Sequence, residues 1–291
     1  MSKPVRTVGI AAALHKPRAV KSAAVLCRAL GERGLSVLLA PGLEKVCGEA
    51  DGVGLRELAK ADLVIALGGD GTLLAVAHHA GPQGTPLLGV DLGSFGFLAG
   101  ESFEGLLENL DGVLAGEYRV ERRMMVSADV TRGGETVASF CGLNDAVVGK
   151  ADIRRLVRLH TCINGEHIAT YPADGLIIST PTGSTAYALS AGGPLVSPSV
   201  ECLVIVPICP HTLYSRPLVV EATAVIQVSA TPRDHAAGGL TLTVDGQDAV
   251  TLERGDEVVI HRAGYNAKLV RLSPGGFYER LRTKLKWGAE R

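Results

Sequence analysis

The sequence lacks the charge pattern and the aromatic residues by which many nucleic-acid-binding and membrane-binding proteins are recognised. Its 29 Lys and Arg nearly balance its 30 Asp and Glu, the net charge is −1, and no long basic run occurs. Electrostatic binding to nucleic acid or to an anionic membrane is therefore not expected. Aromatic residues make up only 4% of the chain, which also argues against stacking platforms for single-stranded nucleic acid.

Long apolar runs and cysteine pairs are missing as well. No apolar run approaches the ~20 residues of a membrane-spanning helix, and the N-terminal MSKPVRTVGI, interrupted by Pro4, is not typical of a signal peptide. The six cysteines are scattered and form no CxxC pair, so we expect neither a disulfide framework nor a structural metal site. These absences predict a cytoplasmic protein without nucleic-acid or membrane partners.

Two common nucleotide-binding motifs are also absent. The chain contains no G-x-x-x-x-G-K-[ST] P-loop, and the stretch Val8-Gly9-Ile10-Ala11 cannot supply a G-x-G-x-x-G fingerprint after the first predicted strand. The sequence is therefore neither that of an ordinary P-loop ATPase nor that of an ordinary dinucleotide-dependent dehydrogenase.

The chain does have ample material for hydrophobic cores. Hydrophobic residues make up 46% of its 291 residues and the mean hydropathy is +0.24, which suits one large domain or two ordinary ones. The first third alternates between strand-like and helix-like patterns, which predicts a parallel sheet covered by helices. The predicted strands are 5–12, 35–40, 63–67 and 86–90, and the predicted helices are 19–34, 72–80 and 104–114.

From about residue 119 the pattern changes to alternating apolar and polar residues separated by turn signals. Such a pattern predicts a β-rich second domain, built as a sandwich or as layered sheets. The predicted strands are 125–131, 135–148, 158–163, 176–179, 224–229, 240–244, 257–261 and 267–272. A basic, amphipathic helix is predicted at 277–287.

The most informative segment is 68–72, where a buried strand ends in Gly68-Gly69-Asp70-Gly71-Thr72 and a helix follows. The glycines remove Cβ atoms that would keep a ligand from the backbone, and a helix N-terminus suits phosphate. A carboxylate repels phosphate unless a cation intervenes or it has a proton to take, so the combination indicates phosphoryl transfer. A tight strand–helix turn without catalytic function is the alternative.

Three further segments combine turn residues with polar side chains. The loop at 180–185 carries four hydroxyls, those of Thr180, Thr182, Ser184 and Thr185, which suit ribose, base edges or phosphate. Simple helix capping is the alternative explanation, although one hydroxyl would be enough for a cap. Asn144-Asp145 at a strand end can clamp the two hydroxyls of a ribose. Asp174-Gly175 and Asp245-Gly246-Gln247, taken alone, are typical turn sequences.

These segments, in this order, resemble the ATP-dependent NAD kinases. The matching segments are GGDGT at 68–72, GSFGFL at 93–98, Asn144-Asp145, Asp174-Gly175, TPTGSTAYALSAGGP at 180–194, VPICPHTLYSRPLVV at 206–220, and Asp245-Gly246-Gln247. GGDGT alone is shared with diacylglycerol, sphingosine and phosphofructo-kinases, whereas the segment at 180–194 is far more specific. The similarity extends over nearly the whole chain.

The resemblance implies a Rossmann-like α/β N-terminal domain with a parallel sheet and a β-rich C-terminal domain. With the terminal helix returned to the first domain, the expected boundaries are 1–118 with 274–291, and 119–273. The resemblance also implies a reaction. In that reaction the γ-phosphoryl group of ATP, accompanied by Mg²⁺ or another divalent cation, is transferred to the 2′-hydroxyl of the adenosine ribose of NAD, giving NADP. A homodimer or homotetramer is expected.

By the same resemblance, Asp70 is the general base on the 2′-hydroxyl, a role that typically contributes ~10²–10⁴-fold. The residues expected to contact ATP or NAD are Gly68, Gly69, Gly71 and Thr72 at the ATP phosphates, Asn144 and Asp145 at ribose hydroxyls, Thr185, Ala186 and Tyr187 around the adenine, Asp174 and Ser190 at the other nucleoside, Phe97 and Gln247 along the pocket, and Arg155 near the pyrophosphate. Thr182 is a further expected binding residue.

Three positions depart from the family pattern. Asp145 stands where many members have Glu, Asp91 replaces a frequent Asn, and Pro172 occupies a position that is often basic, which leaves Arg155 as the candidate cation. Two other hypotheses stay open: a GGDGT-type kinase of another hydroxyl substrate, such as a lipid or a sugar, and a non-catalytic NAD(P)-binding sensor. The sequence does not decide between ATP and polyphosphate as donor.

Overall fold

The computed structural model describes residues 4–48, 52–93, 96–150, 156–230, 239–272 and 275–287. The chain divides into two compact units, Met1–Arg122 with Asn266–Arg291, and Arg123–Tyr265. The domain boundaries given above rest on the resemblance and stay a prediction.

The first unit contains the predicted parallel sheet. Its strands are β1 (Thr7–Ala12), β2 (Ser36–Leu39), β3 (Leu63–Gly68) and β4 (Pro86–Asp91), in the spatial order β2-β1-β3-β4. All three pairings between them are parallel. Every residue of β3 is buried, as expected of a strand covered on both faces.

Six helices accompany these strands in the described part of the N-terminal segment of the first unit. They are α1 (Pro17–Gly31), α2 (Glu44–Cys47), α3 (Leu55–Leu58), α4 (Asp70–Gln83), α5 (Phe103–Glu108) and α6 (Leu110–Ala115). The helix predicted at 104–114 is divided in two, because Asn109 leaves helical geometry and donates from its side chain to the carbonyl of Gly105 (2.8 Å). Helix α4 begins two residues earlier than predicted and ends at Gly84, whose φ is 67°.

The second unit is β-rich, as predicted. Its strands are β5 (Arg119–Arg132, beginning in the first unit), β6 (Glu135–Gly142), β7 (Asp145–Lys150), β8 (Val157–Ile163), β9 (Glu166–Ala173), β10 (Gly175–Ser179), β11 (Cys202–Ile208), β12 (Leu218–Glu221), β13 (Ile226–Ala230), β14 (Leu240–Val244), β15 (Asp248–Leu252) and β16 (Glu257–Arg271). A short 3₁₀ turn, Gly183–Thr185, precedes helix α7 (Tyr187–Ser190).

Two layers of strands enclose the core of this unit. One is an antiparallel sheet in the order β12-β11-β10-β7-β14-β15. The other contains β5, β6, β8, β9, β13 and the first half of β16. The buried cluster draws on both layers, for example on Leu159 and Ile260 from one and on Ile178 and Leu242 from the other. The layered arrangement predicted from the sequence is therefore correct.

Three of the predicted strands are divided differently in the structure. The strand predicted at 135–148 is two strands, β6 and β7, which lie in different sheets and are separated at Leu143-Asn144. The strands predicted at 257–261 and 267–272 are one strand, β16, because the residues between them, including the turn-like pair Ala263-Gly264, stay extended. Strands β9, β11, β12 and β15 were not predicted.

The chain ends in helix α8 (Phe277–Leu285), which belongs to the first unit together with the last residues of β16. Lys268 and Leu269 of β16 pair in parallel with Pro86 and Leu87 of β4. Within the described ranges, no helix has both the length and the apolar character needed to cross a membrane. All six cysteines are free thiols.

Candidate active site

The glycine-rich segment forms a very tight connection from β3 to α4. Gly68 ends the strand, Gly69 has extended geometry (φ −127°), and the helix begins at Asp70. A Cβ atom on Gly68 would lie 2.5 Å from the hydroxyl oxygen of Thr72. Glycine at this position therefore allows the side chain of Thr72 to pack here, and it does not open space for a ligand. A Cβ on Gly71 would meet nothing within 4 Å. The open approach to the backbone is therefore at Gly71.

The Asp70 carboxylate accepts three consecutive main-chain N–H groups. The N–H of Phe97 donates to Oδ2 (2.7 Å), and those of Leu98 and Ala99 donate to Oδ1 (3.1 Å each). The side chain is thereby fixed at the start of α4 and holds the segment that follows Gly96. A Cβ on Gly96 would lie 1.8 Å from Oδ1 of Asp70, so only glycine fits there.

These bonds leave Asp70 a defined acceptor capacity. An ionised carboxylate has about four lone-pair positions, two on each oxygen. Among the described residues, two N–H groups donate to Oδ1 and one to Oδ2, which leaves one lone-pair position on Oδ2 for the proton of a substrate hydroxyl. The arrangement combines a rigid carboxylate with one acceptor position, at a helix N-terminus that favours phosphate.

In the second unit, Asp245 makes a similar set of bonds. It lies in the β14–β15 hairpin turn with φ 52°, followed by Gly246 with φ 66°. Its carboxylate accepts the N–H groups of Leu143 (2.7 Å), Asn144 (2.8 Å) and Asp145 (3.1 Å). These bonds explain why the predicted strand 135–148 is interrupted, because the three N–H groups donate to the Asp245 side chain and not to a neighbouring strand.

Asp145 itself is buried and electrostatically perturbed. Only 5% of its surface is exposed. Burial, and secondarily the nearby charge of Asp245, raises the pKa of Asp145 from its ordinary 3.8 to about 7. Near neutral pH this side chain is present in both protonation states, so it can donate a hydrogen bond to a ribose hydroxyl as well as accept one.

The loop at 180–185 uses most of its hydroxyls internally. Thr180 and Ser184 are fully buried and donate to the carbonyls of Leu143 (2.6 Å) and Pro181 (2.7 Å). These two hydroxyls are therefore bound to the surrounding backbone and do not form the ligand-binding surface that the sequence suggested, and the short helices of this segment begin without a side-chain cap. Thr182 is also buried, and its hydroxyl accepts from Arg123 at 3.4 Å.

The accessible part of this segment comes later. Thr185 and Ala186 are half-buried, and Tyr187 and Ser190 on α7 are exposed. Gly183 packs against Asn144 so closely that a Cβ would lie 2.2 Å from the Asn144 carbonyl oxygen. The structure thus brings the 180–185 loop, Asn144-Asp145 and the turn carrying Gln247 together at one end of strands β7 and β14.

Asp174 lies at the other end of β7 and forms an ion pair. The ammonium of Lys150 is 2.5 Å from Oδ1 of Asp174, and the two side chains are 15% and 33% exposed. Asp145 pairs with Ser179 at one end of the β7–β10 pair, and Gly149 pairs with Gly175 at the other. With a rise of about 3.4 Å per residue, Asp145 and Lys150 are separated by about 17 Å.

The candidate cation Arg155 lies outside the described residues. Lys150 is the cation that the structure places beside Asp174, and the sequence interpretation missed it. Little in the sequence indicated a role for Lys150, because a lysine at a strand end is usually a solvated side chain. Arg123, which donates to the hydroxyl of Thr182, was also missed, because a single arginine within a strand carries no motif. Within the described residues, no group of three or more His, Cys, Asp or Glu side chains is arranged to hold a metal ion without further ligands.

Comparisons with known proteins show which family the chain resembles over nearly its whole length. The family model of the ATP-NAD kinase N-terminal domain matches residues 8–118, and that of the ATP-NAD kinase C-terminal domain matches residues 143–272. An NAD kinase of Moorella thermoacetica is 45% identical, covering 99% of this chain and 91% of its own. An NAD kinase of Geobacter metallireducens is 43% identical, covering 98% and 99%.

Solved structures give the same fold. A yeast NADH kinase complexed with NADH aligns with a TM-score of 0.90 at 24% identity, covering 100% of this chain and 90% of that chain. An NAD kinase from Archaeoglobus fulgidus in complex with ATP aligns with a TM-score of 0.73 at 25% identity, covering 96% and 97%.

Proposed function

This chain belongs to the ATP-NAD kinase family and phosphorylates NAD with ATP, and on that premise we propose that Asp70 is the general base of the transfer. The observation that carries the proposal is the fixed carboxylate with one acceptor position left on Oδ2. The 2′-hydroxyl gives its proton to Oδ2, its oxygen forms a bond to the γ-phosphorus, and the bond to the β,γ-bridging oxygen breaks to release ADP.

The first unit supplies the surroundings of the ATP phosphates. Gly71 leaves the backbone accessible at the N-terminus of α4, and Gly69 and Thr72 flank it, while Gly68 shapes the turn. Asp91 ends β4 opposite Gly68 in the sheet. Mg²⁺ is usually held by one or two carboxylates together with substrate phosphates, so Asp91 is the side chain that fits a donor-bound cation. Such a cation offsets the negative charge of the phosphates.

The second unit supplies polar groups for NAD. Asn144 and Asp145 hold the hydroxyls of one ribose, and Asp174, oriented by Lys150, holds the other nucleoside. The separation of about 17 Å between the two ends of β7 suits an extended dinucleotide. The remaining contact residues stay as expected from the family resemblance: Thr182, Thr185, Ala186, Tyr187, Ser190, Phe97, Gln247 and Arg155.

The test is to incubate the chain with Mg-ATP and NAD and to measure NADP. NAD that lacks the adenosine 2′-hydroxyl is the matched control, and it should bind without being phosphorylated. NAD binding without any NADP would indicate the non-catalytic sensor, and the absence of NAD binding would indicate another hydroxyl substrate. A cytoplasmic homodimer or homotetramer remains part of the proposal, and sedimentation of the purified chain tests its assembly.

A further inference from the structure

The segment that holds Asp70 is itself held by a second charged side chain. Three consecutive N–H groups, those of residues 97–99, donate to the Asp70 carboxylate. The carbonyl oxygen of Leu98 accepts a hydrogen bond from Nη1 of Arg271 (2.8 Å). The segment is therefore bonded to a carboxylate through its N–H groups and to a guanidinium through one of its carbonyls.

Arg271 is buried and fixed in orientation. It is the last residue of β16, and its side chain is only 2% exposed. Its Nε group donates to Oε2 of Glu121 (3.1 Å), a residue near the start of β5. A guanidinium stays charged at ordinary pH, and its N–H groups point in fixed directions within one plane. Because Glu121 holds one of these groups, the orientation of the group that reaches Leu98 is fixed as well.

The carbonyl of Leu98 belongs to the same peptide unit as the N–H of Ala99. Donation by Arg271 to that oxygen strengthens the N–H as a donor, because hydrogen bonds in a chain polarise one another. The N–H of Ala99 donates to Oδ1 of Asp70 (3.1 Å). A continuous series of hydrogen bonds, passing through one peptide unit, thus leads from the ion pair of Arg271 with Glu121 to the Asp70 carboxylate.

The segment after β4 and the end of β16 are bonded at a second point. Glu101 is buried, and its carboxylate accepts the N–H of Leu272 (3.1 Å). Gly100 lies between the two contacts, and a Cβ atom there would lie 3.4 Å from Nη1 of Arg271. The segment that fixes Asp70 is therefore placed by the end of β16, although 173 residues separate Leu98 from Arg271 in the sequence.

We propose that Arg271 is a positioning residue for the general base: it holds the segment 97–99 so that the Asp70 carboxylate keeps one orientation and Oδ2 keeps its acceptor position. The inference rests on the assignment of Asp70 as the base under the proposed function. In this role Arg271 acts through Asp70 and binds neither ATP nor NAD. Its removal should therefore lower kcat and leave the affinity for both substrates nearly unchanged.

The experiment is a double-mutant cycle on kcat. Arg271→Met removes the guanidinium and keeps a long, unbranched side chain, and it is measured in the parent chain and in Asp70→Asn. In the parent chain, kcat for NADP formation should fall about 10- to 100-fold, the scale expected for a slightly misplaced catalytic group, while the KM values for ATP and NAD change little. In Asp70→Asn, the same substitution should lower the residual kcat at most about 2-fold, because residues that act as a unit are not additive.

Further variants separate positioning from stability. Arg271→Lys keeps a positive charge that can donate to one of the two acceptors but lacks the fork for both, so kcat should recover in part. Arg132→Met is the matched control in the second unit, because it removes an arginine that holds the buried Asp256 by two bonds (2.8 and 3.0 Å). This control should lower the melting temperature without lowering kcat. If thermal unfolding shows that Arg271→Met is not folded, Glu121→Gln, which keeps the guanidinium and weakens its support, replaces it in the cycle with a smaller expected decrease.

Three results would overturn the positioning role. They are an unchanged kcat in folded Arg271→Met, an equal decrease of kcat in the parent chain and in Asp70→Asn, and a loss that appears in KM alone. Each of them leaves Asp70 as the base whenever Asp70→Asn by itself is impaired. Parent-like turnover in Asp70→Asn contradicts the assignment of the base, and the positioning role with it.

Discussion

Asp70 in the first unit and Asp245 in the second have the same local structure and different surroundings. Each carboxylate accepts three consecutive main-chain N–H groups, two on one oxygen and one on the other. Asp70 begins a 14-residue helix after a parallel strand, whereas Asp245 lies in a two-stranded hairpin turn with positive φ. The same bonding pattern therefore occurs once at a helix N-terminus and once beside a buried acid.

The comparison shows that the bonding pattern alone does not make a general base. In both places it fixes a loop, which is a structural function. What distinguishes Asp70 is the accessible backbone at Gly71 and the N-terminus of helix α4. What distinguishes Asp245 is Asp145, whose pKa is raised to about 7. The chemistry is decided by neighbouring groups, and each of the following changes tests one side of that comparison.

The largest effect is expected from Asp70→Asn. The amide keeps the size of the side chain but cannot take the proton, so turnover should fall at least ~10²-fold while NAD affinity stays within several-fold. Initial rates of NADP formation and NAD binding measure the two quantities. Turnover close to that of the parent chain would show that Asp70 only holds the loop, as Asp245 does.

A pH dependence of stability is expected from Asp145. Its ordinary pKa is 3.8 and its folded pKa is about 7, so between these values the folded state holds a proton that the unfolded state has lost. Stability therefore falls as pH rises from about 4 to about 7, by up to about 4 kcal/mol.

Urea unfolding of the parent chain and of Asp145→Asn across this range measures the effect. The variant has no titrating group at this position, so its stability should lack this decrease. Identical pH profiles would show that Asp145 is ionised in the folded protein throughout.

A smaller effect, on stability, is expected from Asp245→Asn. The amide nitrogen cannot accept an N–H group, so at least one bond to the 143–145 segment is lost, at about 1.5–3 kcal/mol for a bond to a charged acceptor. Asp70→Asn should lose a comparable amount, because it holds an equivalent set of bonds. Turnover at saturating NAD should decrease far less in Asp245→Asn than in Asp70→Asn, and equal decreases would remove the distinction between the two aspartates.

The smallest effect on stability is expected from Gly71→Ala. A Cβ there meets nothing within 4 Å, and alanine is favoured over glycine in a helix, so the free energy of unfolding should be unchanged or increase by up to ~1 kcal/mol. The KM for ATP should nevertheless rise if phosphate occupies that space. Gly96→Ala is the contrasting variant, since its Cβ would lie 1.8 Å from Asp70 and must displace the carboxylate. An unchanged KM for ATP in Gly71→Ala would place the phosphates elsewhere.

Much of the fold could be predicted because its signals are local. The buried run 63–67 followed by glycines predicts β3 and the start of α4, and Asp245-Gly246 predicts the turn that follows β14. The failures have a common physical origin. Leu143-Asn144 does not look like a strand break until Asp245 accepts its amides, and Ala263-Gly264 looks like a turn although sheet pairing on either side keeps β16 extended.

The site was predicted in part for the same reason. Asp70, Asn144 and Asp145 are named by short motifs, and the first of them is placed as the motif suggests, at the end of β3. Lys150 carries no motif, and its significance arises from its ion pair with Asp174. From the sequence, the hydroxyls of Thr180 and Ser184 were expected to be available to a ligand. In the structure they donate hydrogen bonds to carbonyls of the surrounding backbone.

The sequence by itself determined the α/β and β-rich halves, the turn at Asp70 and the family, because apolar periodicity, glycine placement and motif order are written along the chain. Only the tertiary structure decided which oxygen of Asp70 keeps an acceptor position, which lysines face carboxylates and which acid is buried. These properties depend on groups 27 residues apart in the case of Asp70 and Phe97, and 101 apart in the case of Asp245 and Asn144. Hydrogen bonds and desolvation act through space, so folding has to bring such groups together before their chemistry is defined.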